Sequence, residues 1–144
     1  MKPPILITLT SFLLLSACAT PIAVKPDAEE RGLLSTKMVN LSAAVESYFL
    51  DLPEMPVDDA INILRSATRH DPRLLASEFE PYVMKVQYQK PYAVLLLCNK
   101  DGNRAIMEDA GCSARLDRQV TDNVSCEFTL FVNSGCQVEG ADPL

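Results

Sequence analysis

At 144 residues, with 13 basic and 19 acidic side chains and a single histidine, the chain carries a formal charge of -6. That length suits one domain with a modest core rather than two. An acidic balance with no basic run is repelled by phosphate, which argues against nucleic acid and against direct binding to anionic lipid head groups.

The first element in chain order is a leader. Lys2 precedes an apolar run from Ile5 to Leu15 that closes in Leu15-Ser16-Ala17-Cys18. The run is too short for a hydrocarbon core that needs roughly 20 helical residues, so an export segment over residues 1–17 is expected to be cleaved. Ala17 offers the peptidase a small residue, and the Cys18 thiol is a nucleophile able to take a thioether-linked lipid. Together these residues resemble the lipobox of bacterial lipoproteins, a resemblance confined to this segment. It implies a diacylglyceryl group on Cys18 and a further acyl chain, such as palmitate, on the new amino terminus. Two or three chains anchor firmly where one holds only marginally. Ala19, where inner-membrane retention uses Asp, implies sorting to the outer membrane of a diderm host, with the domain facing the periplasm.

Residues 18–26 then read as a short tether bearing Pro21 and Pro26, and residues 27–144 as a single globular domain. Asp27 is placed to cap a helix, with Glu29 and Glu30 in its positive first turn. Leu34, Met38, Leu41, Val45, Tyr48 and Leu52 recur at spacings of four and three, the stripe of a helix running to about Leu50. The stripe suits packing on the domain's own sheet, or a seam for a partner helix. Pro53 and Pro56 end it.

A second helix is predicted over 57–68, with Asp58 and Asp59 in its first turn and Ala60, Ile61, Leu64 and Ala67 inward. Paired carboxylates there answer the helix dipole; calcium would need further oxygen ligands at loop spacing. Asp71-Pro72 is a cap followed by proline at the first helical position, opening a short turn. His70 has no second histidine or paired cysteine at ligand spacing and reads as a surface residue.

From Glu80 the period changes to two. Tyr82, Met84, Val86 and Tyr88 share one strand face, opposite Lys85, Gln87 and Gln89, until Pro91 breaks the strand. Tyr92 to Cys98 is apolar on both faces, the pattern of a strand covered on two sides. Asn99 to Asn103, with Gly102, predicts a hairpin turn, and Arg104 to Glu108 returns. A polar stretch leads to a last strand over 127–132, with Phe128, Leu130 and Val132 on one side. The expectation is an α+β domain, with N-terminal helices packed on an antiparallel sheet of about four strands.

Cys98, Cys112, Cys126 and Cys136 form an even set in an exported chain and predict two disulfides. A strand meander favours the nested pairing Cys98–Cys136 with Cys112–Cys126, followed by Cys98–Cys112 with Cys126–Cys136. Their wide spacing fits neither a zinc ribbon nor a dithiol redox motif, so no metal or cofactor is expected.

Enzymatic motifs are missing too: no Gly-x-Ser-x-Gly, no His-Glu-x-x-His, no glycine-rich phosphate loop. Glu108-Asp109 is the carboxylate pair to inspect for acid–base work, with a solvated strand end as the plainer account. The chain therefore reads as a non-catalytic accessory or scaffold lipoprotein of a secretion, conjugation or assembly complex. The alternative is a small inhibitor or protective protein against an envelope hydrolase or toxin. In that case the 99–103 turn or the 111–125 segment would enter the target's cleft.

Overall fold

The computed structural model describes residues 26–52, 54 and 58–142. Helix α1 runs Ala28–Leu50. The Asp27 side chain accepts from the Glu30 amide at 2.8 Å, satisfying one of the free donors of the first turn. Leu34, Met38, Leu41, Val45 and Phe49 are buried, whereas Tyr48 and Leu52 lie at the margin of the stripe. Phe49 takes the inward place because its ring stacks on Tyr88 at a centroid distance of 4.9 Å. Pro53 and Pro56, expected to stop the helix, lie outside the described residues, as does Val57.

Helix α2, Ala60–Ala67, is capped by Asp59, which accepts from Asn62 N at 3.0 Å. Its buried arc centres on Ile63 and Leu64, while Ile61, expected inside, is 42% exposed. The helix touches both α1 and the sheet, and that wedge position turns Ile63 inward in place of Ile61. Two 3-10 turns follow, Pro72–Leu74 behind the Asp71 cap and Ser77–Phe79.

Strands β1 (Val83–Gln89), β2 (Tyr92–Cys98), β3 (Ala105–Asp109) and β4 (Arg118–Gln119) form an antiparallel sheet in that order. The fold is α+β, with the helices on one face and both disulfides in the C-terminal half. Register places Met84 beside Leu97, Val86 beside Leu95 and Tyr88 beside Ala93, so these pairs form the helix-facing side. Val94, Leu96 and Cys98 point to the other side and are equally buried. At the β2–β3 turn, Gly102 adopts φ +69°, a conformation glycine takes without a Cβ clash.

The C-terminal third departs from expectation. The fourth strand is Arg118–Gln119, not 127–132, and the latter segment crosses the open face of the sheet as a strap. Its alternation was legible for a different reason: Leu130 is buried and Phe128 and Val132 half-buried because they rest on the sheet, not because they belong to it. Side chains answer the strap's backbone where a neighbouring strand would have done so. Lys85 Nζ donates to Cys126 O at 2.8 Å and Gln89 Nε2 to Leu130 O at 2.9 Å, and Gln89 Oε1 accepts from Val132 N at 2.7 Å. The strap ends in a hairpin, β5 (Phe131–Asn133) with β6 (Gln137–Glu139).

Both expected disulfide pairings are corrected. The bonds join Cys98 to Cys126 and Cys112 to Cys136, with Cα separations of 5.8 and 5.5 Å. A meander would have nested them. Because the strap instead folds over the face to which Cys98 points, Cys126 arrives above Cys98, and Cys112 is left to the β5–β6 turn.

Candidate functional site

Glu108 and Asp109, the carboxylate pair singled out in the sequence, end strand β3. Neither is solvated: they are 0% and 1% exposed, which corrects the strand-end reading. Alternation along the strand sends them to opposite faces. Glu108 faces the strap. Its Oε1 accepts from Thr129 N at 2.7 Å, and its Oε2 accepts from Thr129 Oγ1 at 2.5 Å and from Arg118 Nη1 at 3.1 Å. Arg118 Nη1 also donates to Thr129 Oγ1, closing a three-membered network between β3, β4 and the strap.

Asp109 faces α1. Its Oδ2 accepts from Ser42 Oγ and from Gly111 N at 3.2 Å, and its Oδ1 accepts from Asp117 N at 2.9 Å. Asp117 in turn accepts from Ala110 N at 2.8 Å. The loop could not come so near with a larger residue: a Cβ on Gly111, at φ +72°, would lie 2.6 Å from Ser42 O. Burial pushes the Asp109 carboxyl up to about 6; the neighbouring Asp117 charge acts in the same direction, and the bonds from Ser42, Asp117 N and Gly111 N oppose it. Burial raises Asp117 as well.

A general acid and base must converge on one substrate. Glu108 and Asp109 diverge, and each is occupied by donors from its own fold. What this arrangement does chemically is fasten three elements to the end of β3.

Sequence reasoning missed Ser42, Asp117, Arg118 and Thr129 as parts of this cluster. Ser42 had a signal, since it sits four residues after Met38 and three before Val45, a polar residue on the buried side of a helix. Asp117 and Arg118 lie in a polar stretch without period, and Thr129 sits between Phe128 and Leu130 on the outer side of the alternating 127–132 segment.

The remaining candidates are placed apart from this cluster. His70 is exposed and accepts from Arg69 Nε at 2.9 Å. Asp59 serves as the α2 cap, and Asp58 precedes it, exposed. Leu15, Ser16, Ala17 and Cys18 lie outside the described residues. Among the described residues, no three His, Cys, Asp or Glu side chains are grouped to hold a metal ion, and no helix is long and apolar enough to cross a membrane. Surface grooves among the described residues include one of about 260 Å³ beside Pro26, Arg31, Arg104, Ile106 and Val120, one of about 400 Å³ between α2 and the start of β1, lined by Ile61, Leu64, Arg65, Phe79, Glu80 and Met84, and one of about 330 Å³ between α1 and Ala114–Leu116. Comparison with known protein families, curated proteins and solved structures finds no match for this chain.

Proposed function

We propose that the protein is an envelope lipoprotein, lipidated at Cys18 and held in the outer membrane, that serves a secretion, conjugation or assembly complex as a non-catalytic accessory or scaffold. The anchor rests on Leu15-Ser16-Ala17-Cys18 and the apolar run before it. The observation that carries the non-catalytic part is the use of the best carboxylate pair. Glu108 and Asp109 are buried on opposite faces and hydrogen-bonded within the fold. Two disulfides and a buried polar network suit a small domain that must hold its shape in an oxidising compartment.

Inhibiting signal-peptide processing with globomycin should accumulate the precursor, and Cys18→Ala should release the protein from membranes. In-cell crosslinking of the lipidated protein should then capture a discrete set of envelope components. Unchanged membrane fractionation of Cys18→Ala defeats the anchor; capture of abundant porins alone defeats the scaffold role.

One observation favours the inhibitor reading as an alternative. The Asn99–Asn103 turn is exposed yet pre-organised: Asn99 Oδ1 accepts from Asn103 N and Arg104 N, both at 3.0 Å. Rigid presentation is what a loop needs to enter a cleft at low entropic cost. Block of a muramidase by the purified chain at micromolar concentration would move the assignment to that role.

A further inference from the structure

The two disulfides stand in different surroundings. Cys98 and Cys126 are 0% and 6% exposed, packed with Leu96, Ala105 and Val120 where the strap meets the sheet. Exchange with a thiol requires a thiolate to reach one of the sulfurs, and that packing bars the approach. Cys112 and Cys136 are only half-buried, on loops at the surface.

Each of those loops is held without the bond. Cys112 follows Gly111 in the segment that Asp109 and Asp117 fasten between the end of β3 and α1. Cys136 lies in the β5–β6 turn, where its amide donates to Asn133 O at 3.2 Å. Beyond β6, Asp142 N donates to Asp117 O at 2.8 Å and Asp142 Oδ2 accepts from Gln119 N at 2.7 Å, tying the far end of the hairpin to β4. Opening the bond therefore leaves both sulfurs on backbones that keep their places, near enough to rejoin.

A carboxyl stands beside one of these sulfurs. Glu46 Oε1, on α1, lies 3.9 Å from Cys136 Sγ. A disulfide sulfur has no hydrogen to give, so in this pair only a protonated carboxyl can donate, with the sulfur accepting. Among the described residues Glu46 has no ion pair and no other side-chain hydrogen bond. Burial raises its pKa, and no charged neighbour contributes to the shift.

We propose that Cys112–Cys136 is an exchangeable disulfide, opened and re-formed by a partner protein dithiol, with Glu46 supplying and recovering the proton at Cys136. The partner's thiolate attacks Cys112 Sγ, the S–S bond breaks, its electron pair leaves on Cys136 Sγ, and the Glu46 proton follows. The partner's second thiol then attacks the mixed disulfide, closing the partner's own disulfide and expelling the Cys112 thiolate, which takes the proton that this second thiol gives up. Glu46 regains through water the proton that the first thiol released, so two electrons and two protons pass from partner to chain. The chain is the substrate of this exchange and needs no closely spaced thiol pair of its own. Reduction unlatches the β5–β6 turn from the 110–117 loop while Cys98–Cys126 keeps the strap in place. The chemistry belongs to the folded domain and is independent of the Cys18 anchor.

In the test, any free thiol of the full-length chain in detergent is blocked with N-ethylmaleimide, dithiothreitol is added, and newly exposed thiols are mapped by iodoacetamide labelling and mass spectrometry. Cys112 and Cys136 should label about tenfold or more faster than Cys98 and Cys126, with far-UV circular dichroism unchanged. Glutathione, which has one thiol, should be trapped mainly on Cys112, leaving Cys136 free. Divided by thiolate concentration, the wild-type rate should fall about tenfold as pH rises through the Glu46 titration, because a carboxylate repels the departing sulfur instead of protonating it. Glu46→Gln should make that profile flat. Equal labelling of both disulfides, reduction only with loss of the fold, trapping mainly on Cys136, or a pH profile unmoved by Glu46→Gln would overturn the assignment.

Discussion

The two faces of the central sheet are covered by different physics. The helix-facing side is an apolar seam in which Leu34, Met38, Leu41, Val45 and Phe49 of α1 meet Ala93, Leu95 and Leu97 of β2. The opposite side mixes small apolar clusters with Lys85, Gln89, Glu108 and Arg118, each bonded to the strap or its neighbours, and a disulfide from Cys98 to Cys126. Helices satisfy their own backbones, so they can be held by non-directional burial. A strap cannot; its amides and carbonyls need partners, and directional bonds supply them.

This difference breaks most visibly under substitution. Glu108→Ala leaves Arg118 and the Thr129 amide without their buried acceptor and should lower unfolding free energy by about 3 to 5 kcal/mol in a denaturant titration. Leu95→Met, on the helix side and close in volume, should cost less than about 1.5 kcal/mol. Equal losses would mean that the two faces are held alike.

Loss of the Cys98–Cys126 bond, as the double serine variant, should cost about 2 to 4 kcal/mol. Hydrogen exchange should accelerate in the strap well before it does in α1. Uniform acceleration would show instead that the strap does not open as a separate unit.

Asp109 sharpens the comparison, being a polar fastener on the apolar side. Its carboxyl, held up at about 6 against an ordinary 3.8, binds its proton more tightly in the folded state than in the unfolded chain. Its effect on stability is therefore most favourable at acid pH and declines as pH rises from about 4 to 6, by about 2 to 3 kcal/mol in all. Asp109→Asn should flatten that segment of the stability–pH curve measured by chemical denaturation. A wild-type curve that rises across the same window would contradict the raised value.

The smallest expected effect lies at the α1 entrance. Asp27→Ala removes the acceptor for the Glu30 amide and should cost about 1 kcal/mol, read as a small shift in denaturation midpoint with an unchanged slope.

The helical half was legible because both of its signals are local. Spacings of three and four found the α1 stripe, and capping residues found Asp27 and Asp71, whereas Asp59, expected in the first turn of α2, caps a helix that starts at Ala60. The errors there are small and have local causes: Ile63 displaces Ile61 where α2 is wedged, and Phe49 displaces Tyr48 where a ring is available for stacking. In the sheet half, double-sided burial of β2 was read correctly from an unbroken apolar run. Alternation over Phe128, Leu130 and Val132 gave the right face but the wrong partner, since an extended chain lying on a sheet and one lying within it bury the same parity of side chains.

Sequence by itself determined the α+β class, the helix boundaries within a few residues, the covered central strand and the use of four cysteines in two bonds. Tertiary structure alone decided which cysteines pair, which segment forms the fourth strand, and that Glu108 and Asp109 are internal fasteners. The reason is range. Periodicity and caps express interactions between residues a few positions apart, whereas Cys98 with Cys126, Ser42 with Asp109 and Thr129 with Glu108 meet only after the strap has crossed the sheet and the loop at Gly111 has closed on α1.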